Sequence, residues 1–227
     1  MTNKNLYHLS PLFLLGLFTS CSLSTDNDIP SQQYIAVQAE SGDDWSIIDS
    51  EGNVIVEEEY DADDQVSPIY DKTYWVKSDN TYQLYSIDNP KKPLNDEEYT
   101  AATIMFQGRC LATKAGHPIQ ILNDEGEVVA TLPRDIVSAI RGSRTTFLFE
   151  KADGTYGWTD LNGNIIQQGY KQLHTGEGTI VAVGKKTDEG KWLIYNNKGN
   201  QTGSFKGTYS VLGISYGYIS VKAENDK

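Results

Sequence analysis

Apolar and polar residues alternate along the chain in a frame that recurs about every 37 residues. The frame opens on a large apolar or aromatic residue, at steps of 37, 37, 37 and 36: Trp45, Tyr82, Ile119, Tyr156 and Trp192. Two positions later each copy is apolar again: Ile47, Leu84, Ile121, Trp158 and Ile194. Because alternate side chains of a strand share one face, this spacing predicts a short strand with a buried face in every copy.

A turn residue follows each predicted strand, seven positions after the start of the frame. The second copy has Asn89 there, and the other four have glycine: Gly52, Gly126, Gly163 and Gly199. Glycine and, after it, asparagine are the residues that accept a positive φ. For the four glycine copies, "DSEGN", "NDEGE", "LNGN" and "NNKGN", we therefore predict hairpin turns closed by a glycine in the left-handed conformation, after which a second strand returns.

Two further pieces recur in the frame. One ends in a tyrosine or an apolar residue, as in "EEEYD" at 57–61, "DEEYT" at 96–100 and "QQGYK" at 167–171. The other alternates just before the next copy begins: "YWVK" at 74, "CLATK" at 110, "FLFEK" at 147, "IVAVGKK" at 180 and "YISVKA" at 218. Each unit thus offers up to four short strands, and the sequence predicts an all-β repeat protein of about five 37-residue units.

These residues resemble the WG-repeat (KWG-repeat) proteins of bacteria. The match is closest in "YGWTDLNG" at 156 and in "DDWSIIDSEGNVIVEEEYD" at 43. The second copy departs most, with Asn89 and Pro90 where the family has its glycine turn. The resemblance covers Tyr34 to Lys227 and implies a β-repeat domain of secreted and envelope proteins that has no shared catalytic motif.

Five units of four short strands predict a β-propeller-like toroid in which each sheet buries a face against the next. The segment "YIAVQA" at 34–39 matches the last strand of a unit whose other strands are missing. In a closed ring it would compete with "YISVKA" at 218 for one place. An open, curved β-solenoid is therefore the alternative architecture.

The first residues predict export and anchoring. An apolar run from Leu12 to Phe18 follows Lys4 and is too short to span a bilayer, which is typical of a secretory signal over residues 1–20. "LFTSC" resembles a bacterial lipobox, which implies that Cys21 is acylated and joins the membrane through a flexible tether, 21–33. We expect an outer-membrane lipoprotein of the cell envelope, on its periplasmic or its surface face. A transmembrane anchor and a soluble secreted protein are the alternatives.

Charge and histidine content exclude several classes of function. The formal net charge is −12, and removal of Lys4 with the signal would make it −12 − 1 = −13, so nucleic-acid binding is not expected. Only Cys110 remains besides Cys21, and we expect it to be a small buried hydrophobe. His117 and His174 stand apart in the sequence, so we expect loop histidines and neither a metal site nor a cofactor.

No catalytic motif is present in the sequence. Asp49 and Asp160 occupy the same place in the frame, four positions after its start, which favours a role in stabilising turns. We expect a non-enzymatic domain that binds a protein or glycan partner. A propeller-type enzyme that acts on polysaccharide through an unidentified carboxylate pair is the alternative.

Aromatic residues crowd one stretch and are the candidate partner-binding residues: Tyr70, Tyr74, Trp75, Tyr82 and Tyr85. On an exposed surface such rings could stack on sugars or anchor a protein. Alternatively, Tyr74, Trp75 and Tyr82 point into the core between neighbouring sheets.

Overall fold

The computed structural model describes residues 33–40, 42–178 and 180–223. The predicted signal peptide, Cys21 and the tether as far as residue 32 lie outside the described residues. All regular structure in the described part of the chain is β, in 20 strands. The all-β class is therefore confirmed.

The strands form six small sheets in chain order. Sheet 1 contains β1 (Tyr34–Val37), β2 (Trp45–Asp49) and β3 (Val54–Tyr60). Sheet 2 contains β4 (Gln65–Val66), β5 (Thr73–Ser78) and β6 (Thr81–Ser86). Sheet 3 contains β7 (Ala101–Ala102), β8 (Arg109–Thr113), β9 (Gln120–Asn123) and β10 (Val128–Thr131).

The remaining sheets follow the same order along the chain. Sheet 4 contains β11 (Ile136–Ser143), β12 (Thr146–Lys151), β13 (Tyr156–Asp160) and β14 (Ile165–Tyr170). Sheet 5 contains β15 (Gln172–Thr175), β16 (Ala182–Lys185), β17 (Trp192–Tyr195) and β18 (Gln201–Phe205). Sheet 6 has only β19 (Tyr209–Ser215) and β20 (Tyr218–Ala223).

Each sheet is an antiparallel meander offset by half a unit from the sequence frame. In sheet 4, β12 comes from the last piece of one unit and pairs with β13, the first strand of the next unit. Phe149 on β12 lies opposite Gly157 on β13. A Cβ at position 157 would collide with the Phe149 ring and with Gln167 O, so the glycine makes room for the aromatic ring of the neighbouring strand.

The chain divides into two compact units, and each has its own core. Unit 1 lies within Met1–Ala115 and Leu122–Glu127, and unit 2 lies within Gly116–Ile121 and Val128–Lys227. One cluster in unit 1 contains Tyr74, and a second contains Trp75, Tyr99 and Cys110. Cys110 is fully buried, as the sequence predicts. In unit 2, Trp158, Tyr170 and Tyr195 pack in one cluster, and Val183, Trp192 and Val211 pack in another.

The side chain that comes four positions after the start of each frame holds the turn. Asp49 Oδ1 accepts hydrogen bonds of 2.9 Å from the amides of Glu51 and Asn53. Asp160 Oδ1 accepts equivalent bonds of 2.9 Å from Asn162 and Asn164. The turn role predicted for both aspartates is confirmed.

Glycines close these loops in the left-handed region, with φ between 75° and 84°: Gly52, Gly126, Gly163 and Gly199. Asn89 does not share this conformation, because Pro90 follows it and a residue before proline is held in the extended region. Its amide still donates to Ser86 O over 3.0 Å, which is the bond that each of the four glycines makes to the residue three positions earlier. The second copy thus departs from the other four at this position in structure as well as in sequence.

Candidate functional site

The aromatic stretch from Tyr70 to Tyr85, predicted as a binding surface, lies largely in the core of unit 1. Tyr74 and Trp75 are consecutive on β5 and point to opposite faces of sheet 2, where 0% and 2% of their surfaces are exposed. Trp75 Nε1 donates to Thr103 O over 2.9 Å, so its polar atom is used internally. Tyr74 and Trp75 therefore lie in the core, which is the alternative that the sequence offered for them, and neither ring is exposed.

The other three aromatic residues of the stretch are half-buried. Tyr70 packs edge-on against Phe106, and Tyr82 packs on the cluster that contains Trp75. Tyr85 contacts Tyr60, with ring centroids 5.5 Å apart, and opens on a cavity of about 260 Å³ in unit 1. We call this cavity the acidic pocket because three carboxylates line it: Glu59, Asp61 and Asp64.

Two buried phenols, of Tyr60 and Tyr74, are hydrogen-bonded to each other, and Tyr60 lines the acidic pocket. Tyr60 donates its hydroxyl hydrogen to Pro90 O over 2.9 Å, so Tyr74 is the donor in the 2.5 Å bond between the two hydroxyls. Burial raises the pKa of Tyr74 to about 12. Burial, followed by the hydrogen bond with Tyr74, raises the pKa of Tyr60 well above its usual range. Both phenols therefore stay protonated in the folded chain above the pH at which a free tyrosine ionises.

We expect these two tyrosines to make the fold sensitive to alkali. The unfolded chain releases its tyrosine protons near pH 10, whereas the folded pair keeps them, so stability is full below about pH 10 and falls as pH rises toward about 12. The free energy of unfolding in urea should drop by about 1–3 kcal/mol more between about pH 8 and pH 11 in the wild type than in Tyr60→Phe/Tyr74→Phe. An equal drop in both proteins would show that the pair titrates normally.

A second cavity, of about 380 Å³, lies in unit 2. We call it the lysine pocket because Lys185 and Lys171 line it, together with His174, Trp192 and Tyr156. His174 lies on β15 and is half-buried, so its prediction as a loop histidine is wrong. Its ring centroid is 5.7 Å from that of Trp192, and burial lowers the pKa of its imidazole. The sequence frame gave no sign of this pocket, because its residues come from different positions in sheets 4, 5 and 6.

The described residues contain neither a metal-ligand cluster nor a membrane-spanning helix. Within 33–40, 42–178 and 180–223, no three His, Cys, Asp or Glu side chains come together as a metal site. The same part of the chain has no helix with the length and apolar character needed to cross a bilayer. The described carboxylates at Asp49 and Asp160 are engaged in turns, as above, and provide no acid–base pair.

The last sheet is incomplete. In sheets 2 to 5 the second strand is paired on both sides, whereas β20, its equivalent in sheet 6, pairs only with β19 among the described residues. The residue that matches Val221 in the recurring sequence piece is buried in the other five sheets: Val37, Val76, Ala112, Phe149 and Val183. In β20 the equivalent Val221 is 41% exposed, compared with 4% for Val37. Tyr218, at the start of β20, is 79% exposed.

Comparison with known proteins shows the fold. No protein-family profile matches the chain, and no curated protein matches it either. Among solved structures, "KlHsv2", with its loop 6CD replaced by a Gly-Ser linker, aligns over 81% of this chain and 70% of its own, with a TM-score of 0.50 and 12% identity. The chain has an all-β, propeller-like fold.

Two other solved structures of this propeller-like type are similar at lower scores. The WD40 domain of Toxoplasma gondii coronin aligns over 86% of this chain and 63% of its own, with 12% identity and a TM-score of 0.40. The WD40 β-propeller domain of Doa1 aligns over 85% and 72%, with 12% identity and a TM-score of 0.34. The WG-repeat resemblance of the sequence stays a prediction.

Proposed function

We propose that the chain is an envelope-anchored bacterial lipoprotein whose propeller-like repeat domain binds a protein partner and catalyses no reaction. The observation that carries this proposal is the open edge of β20 in sheet 6. A strand with one free edge presents a row of unpaired backbone amides and carbonyls that an extended segment of another chain can join. Apolar side chains stand exposed beside that row at Tyr218 and Val221.

The charge of this hairpin favours contact with a protein. Residues 209–223 contain Lys222 and no acidic residue, in a chain whose formal net charge is −12. An acidic protein repels other acidic envelope proteins over most of its surface, and the repulsion is weakest where its own acids are absent. Strand addition at β20 would therefore meet little repulsion from the hairpin itself.

A protein is a better match to this surface than a glycan. The rings that were the candidate platform for sugars, at Tyr74 and Trp75, are buried in the core of unit 1. The exposed feature is instead a β edge, whose amides and carbonyls pair best with another peptide backbone. Ser220 and Lys222 are the polar residues of this strand, and its other residues are apolar.

The anchor in this proposal is Cys21, and its support is the resemblance of "LFTSC" to a lipobox. Residues 22–33, "SLSTDNDIPSQQ", are polar, and a tether of this composition would hold the domain clear of the headgroups. The WG-repeat resemblance supports the same envelope location. We place the protein at the outer membrane.

Site-specific crosslinking in intact cells tests the proposed function. Tyr218 is replaced by benzoylphenylalanine, a photoreactive residue of similar shape, and the captured molecules are identified by mass spectrometry. The control carries the same residue at Val137, which is also exposed, at 59%, but lies on the first strand of sheet 4. We expect the residue at position 218 to capture one protein reproducibly, and we expect the residue at position 137 not to capture that protein.

A second substitution separates strand addition from mere proximity. Val221→Asp places a charge in the open edge, and because Val221 is exposed the fold should tolerate it. Capture from position 218 should then be lost. The same set of abundant proteins from both positions, or capture that survives Val221→Asp, would reject β20 as the binding edge. Retention of glycans on an array without any protein capture would replace the protein partner by a glycan.

A further inference from the structure

Lys185 is a buried cation at the end of β16. Only 7% of the residue is exposed. Its Nζ donates one hydrogen bond, to Gly207 O over 3.2 Å, and lies 5.8 Å from the centroid of the Trp192 ring. An ammonium group has three hydrogens to donate, so this contact uses one of them.

The described residues give Lys185 no ion pair with a carboxylate. Asp188 is close enough for its charge to be felt by Lys185, but its Oδ2 is held by Lys171 Nζ at 2.8 Å. Lys171 and Asp188 therefore largely cancel each other at the rim. Burying a charge without a partner is costly, so an unmatched buried ammonium favours binding of a counter-ion.

The lysine pocket supplies the space for that counter-ion. Its volume of about 380 Å³ is lined by Lys185 together with neutral polar groups of Gln172 and Tyr156. Gln172 lies directly opposite Lys185 in the β15–β16 pairing, so the two side chains stand on one face. Burial lowers the pKa of His174, which leaves that imidazole mainly neutral at neutral pH. The pocket thus holds about one uncompensated positive charge beside several neutral hydrogen-bonding groups.

We propose that the lysine pocket binds a carboxylate group, with Lys185 as its cationic partner. One uncompensated charge matches a singly charged carboxylate, whereas a phosphate dianion would need further cations. Charge-assisted hydrogen bonds from an ammonium to a carboxylate are among the strongest that a protein makes. The Trp192 ring, which donates its Nε1 hydrogen to Tyr209 O over 2.7 Å, forms a fixed wall for the apolar part of the acid.

The carboxylate can come from a free small acid or from an acidic side chain of a peptide. No residue of β20 lines this site, although Ser210 and Val211, which do line it, pair with β20. The site goes beyond the proposed strand addition and is tested without the protein partner. The test is titration of the full chain by NMR, with the Trp192 indole N–H as reporter. The probes are sodium acetate, sodium chloride at the same ionic strength, and two capped tripeptides that differ in a central glutamate or glutamine.

We expect a saturable shift of the Trp192 resonance with acetate and none with chloride. Lys185→Met, which keeps the length of the side chain and removes the charge, should weaken acetate binding by about tenfold or more. Lys185→Arg should keep most of the binding, and Lys198→Met, at an exposed lysine in the loop after β17, should leave it unchanged. Tighter binding of the glutamate peptide than of acetate or the glutamine peptide would identify the acidic side chain as the source.

The proposal is overturned if acetate and chloride shift the resonance equally, since that result shows an adventitious ion only. It is overturned as well if Lys185→Met binds acetate like the wild type. Should Lys185→Met lose its fold, the shift of the Lys185 Cε carbon on acetate addition to the unsubstituted chain gives the same decision. A carbon shift without saturation counts against the site.

Discussion

Gly163→Val should lower the free energy of unfolding by about 2–4 kcal/mol, as the sum of backbone strain and overpacking. Gly163 has a φ of 82°, which a β-branched residue resists. A Cβ at this position would also lie 2.7 Å from Ala130 Cβ and 3.3 Å from Ile121 Cδ1. Urea unfolding followed by far-UV circular dichroism measures the loss.

Gly52→Val is the matched control for this change. Gly52 occupies the same place in the frame with a φ of 84°, but nothing lies within 4 Å of the Cβ that it would gain. It should therefore cost only the strain, about 1–3 kcal/mol. Equal losses in the two variants would show that the loop at Gly163 yields without packing strain, and a loss of a few tenths in both would contradict the left-handed turns.

Cys21→Ala should abolish labelling of the protein by radioactive palmitate and release it from membranes. An acyl chain holds a protein on a bilayer by about 0.8 kcal/mol per buried methylene, so loss of the chains removes nearly all of the membrane affinity. Labelling and membrane fractionation in cells measure both effects. Cys110→Ala is the control and should change neither, because Cys110 is buried in the core of unit 1. Palmitate on the Cys21→Ala protein would reject Cys21 as the acylation site.

The periodic part of the fold was predictable because it is local. A few consecutive residues determine both a strand of alternating residues and a loop that requires a positive φ, as in "YGWTDLNG" around Gly163. The exception at Asn89 has an equally local cause, since Pro90 restricts the residue before it. Which strands share a sheet was harder to predict, because the pairing of β12 with β13 joins pieces of two neighbouring units.

The binding features were not predictable from the frame. An aromatic stretch on a strand has the same alternation whether one face or both faces are buried, and Tyr74 and Trp75 turn out to fill two different clusters. Lys185 appears in the sequence as an ordinary basic residue at the end of "IVAVGK". The binding role proposed for Lys185 depends on its burial against Trp192 and on its distance from Asp188, and only tertiary packing decides both.

The open edge of β20 is the central claim, and hydrogen exchange of its backbone amides tests it most directly. Alternate amides of an edge strand point away from the sheet and exchange quickly, whereas a strand that is paired on both sides is protected throughout. In the full chain we predict fast exchange at alternate residues of β20, and slow exchange at every amide of β16, its equivalent in sheet 5. Uniform protection of β20 would show that another strand already covers this edge and would contradict the account.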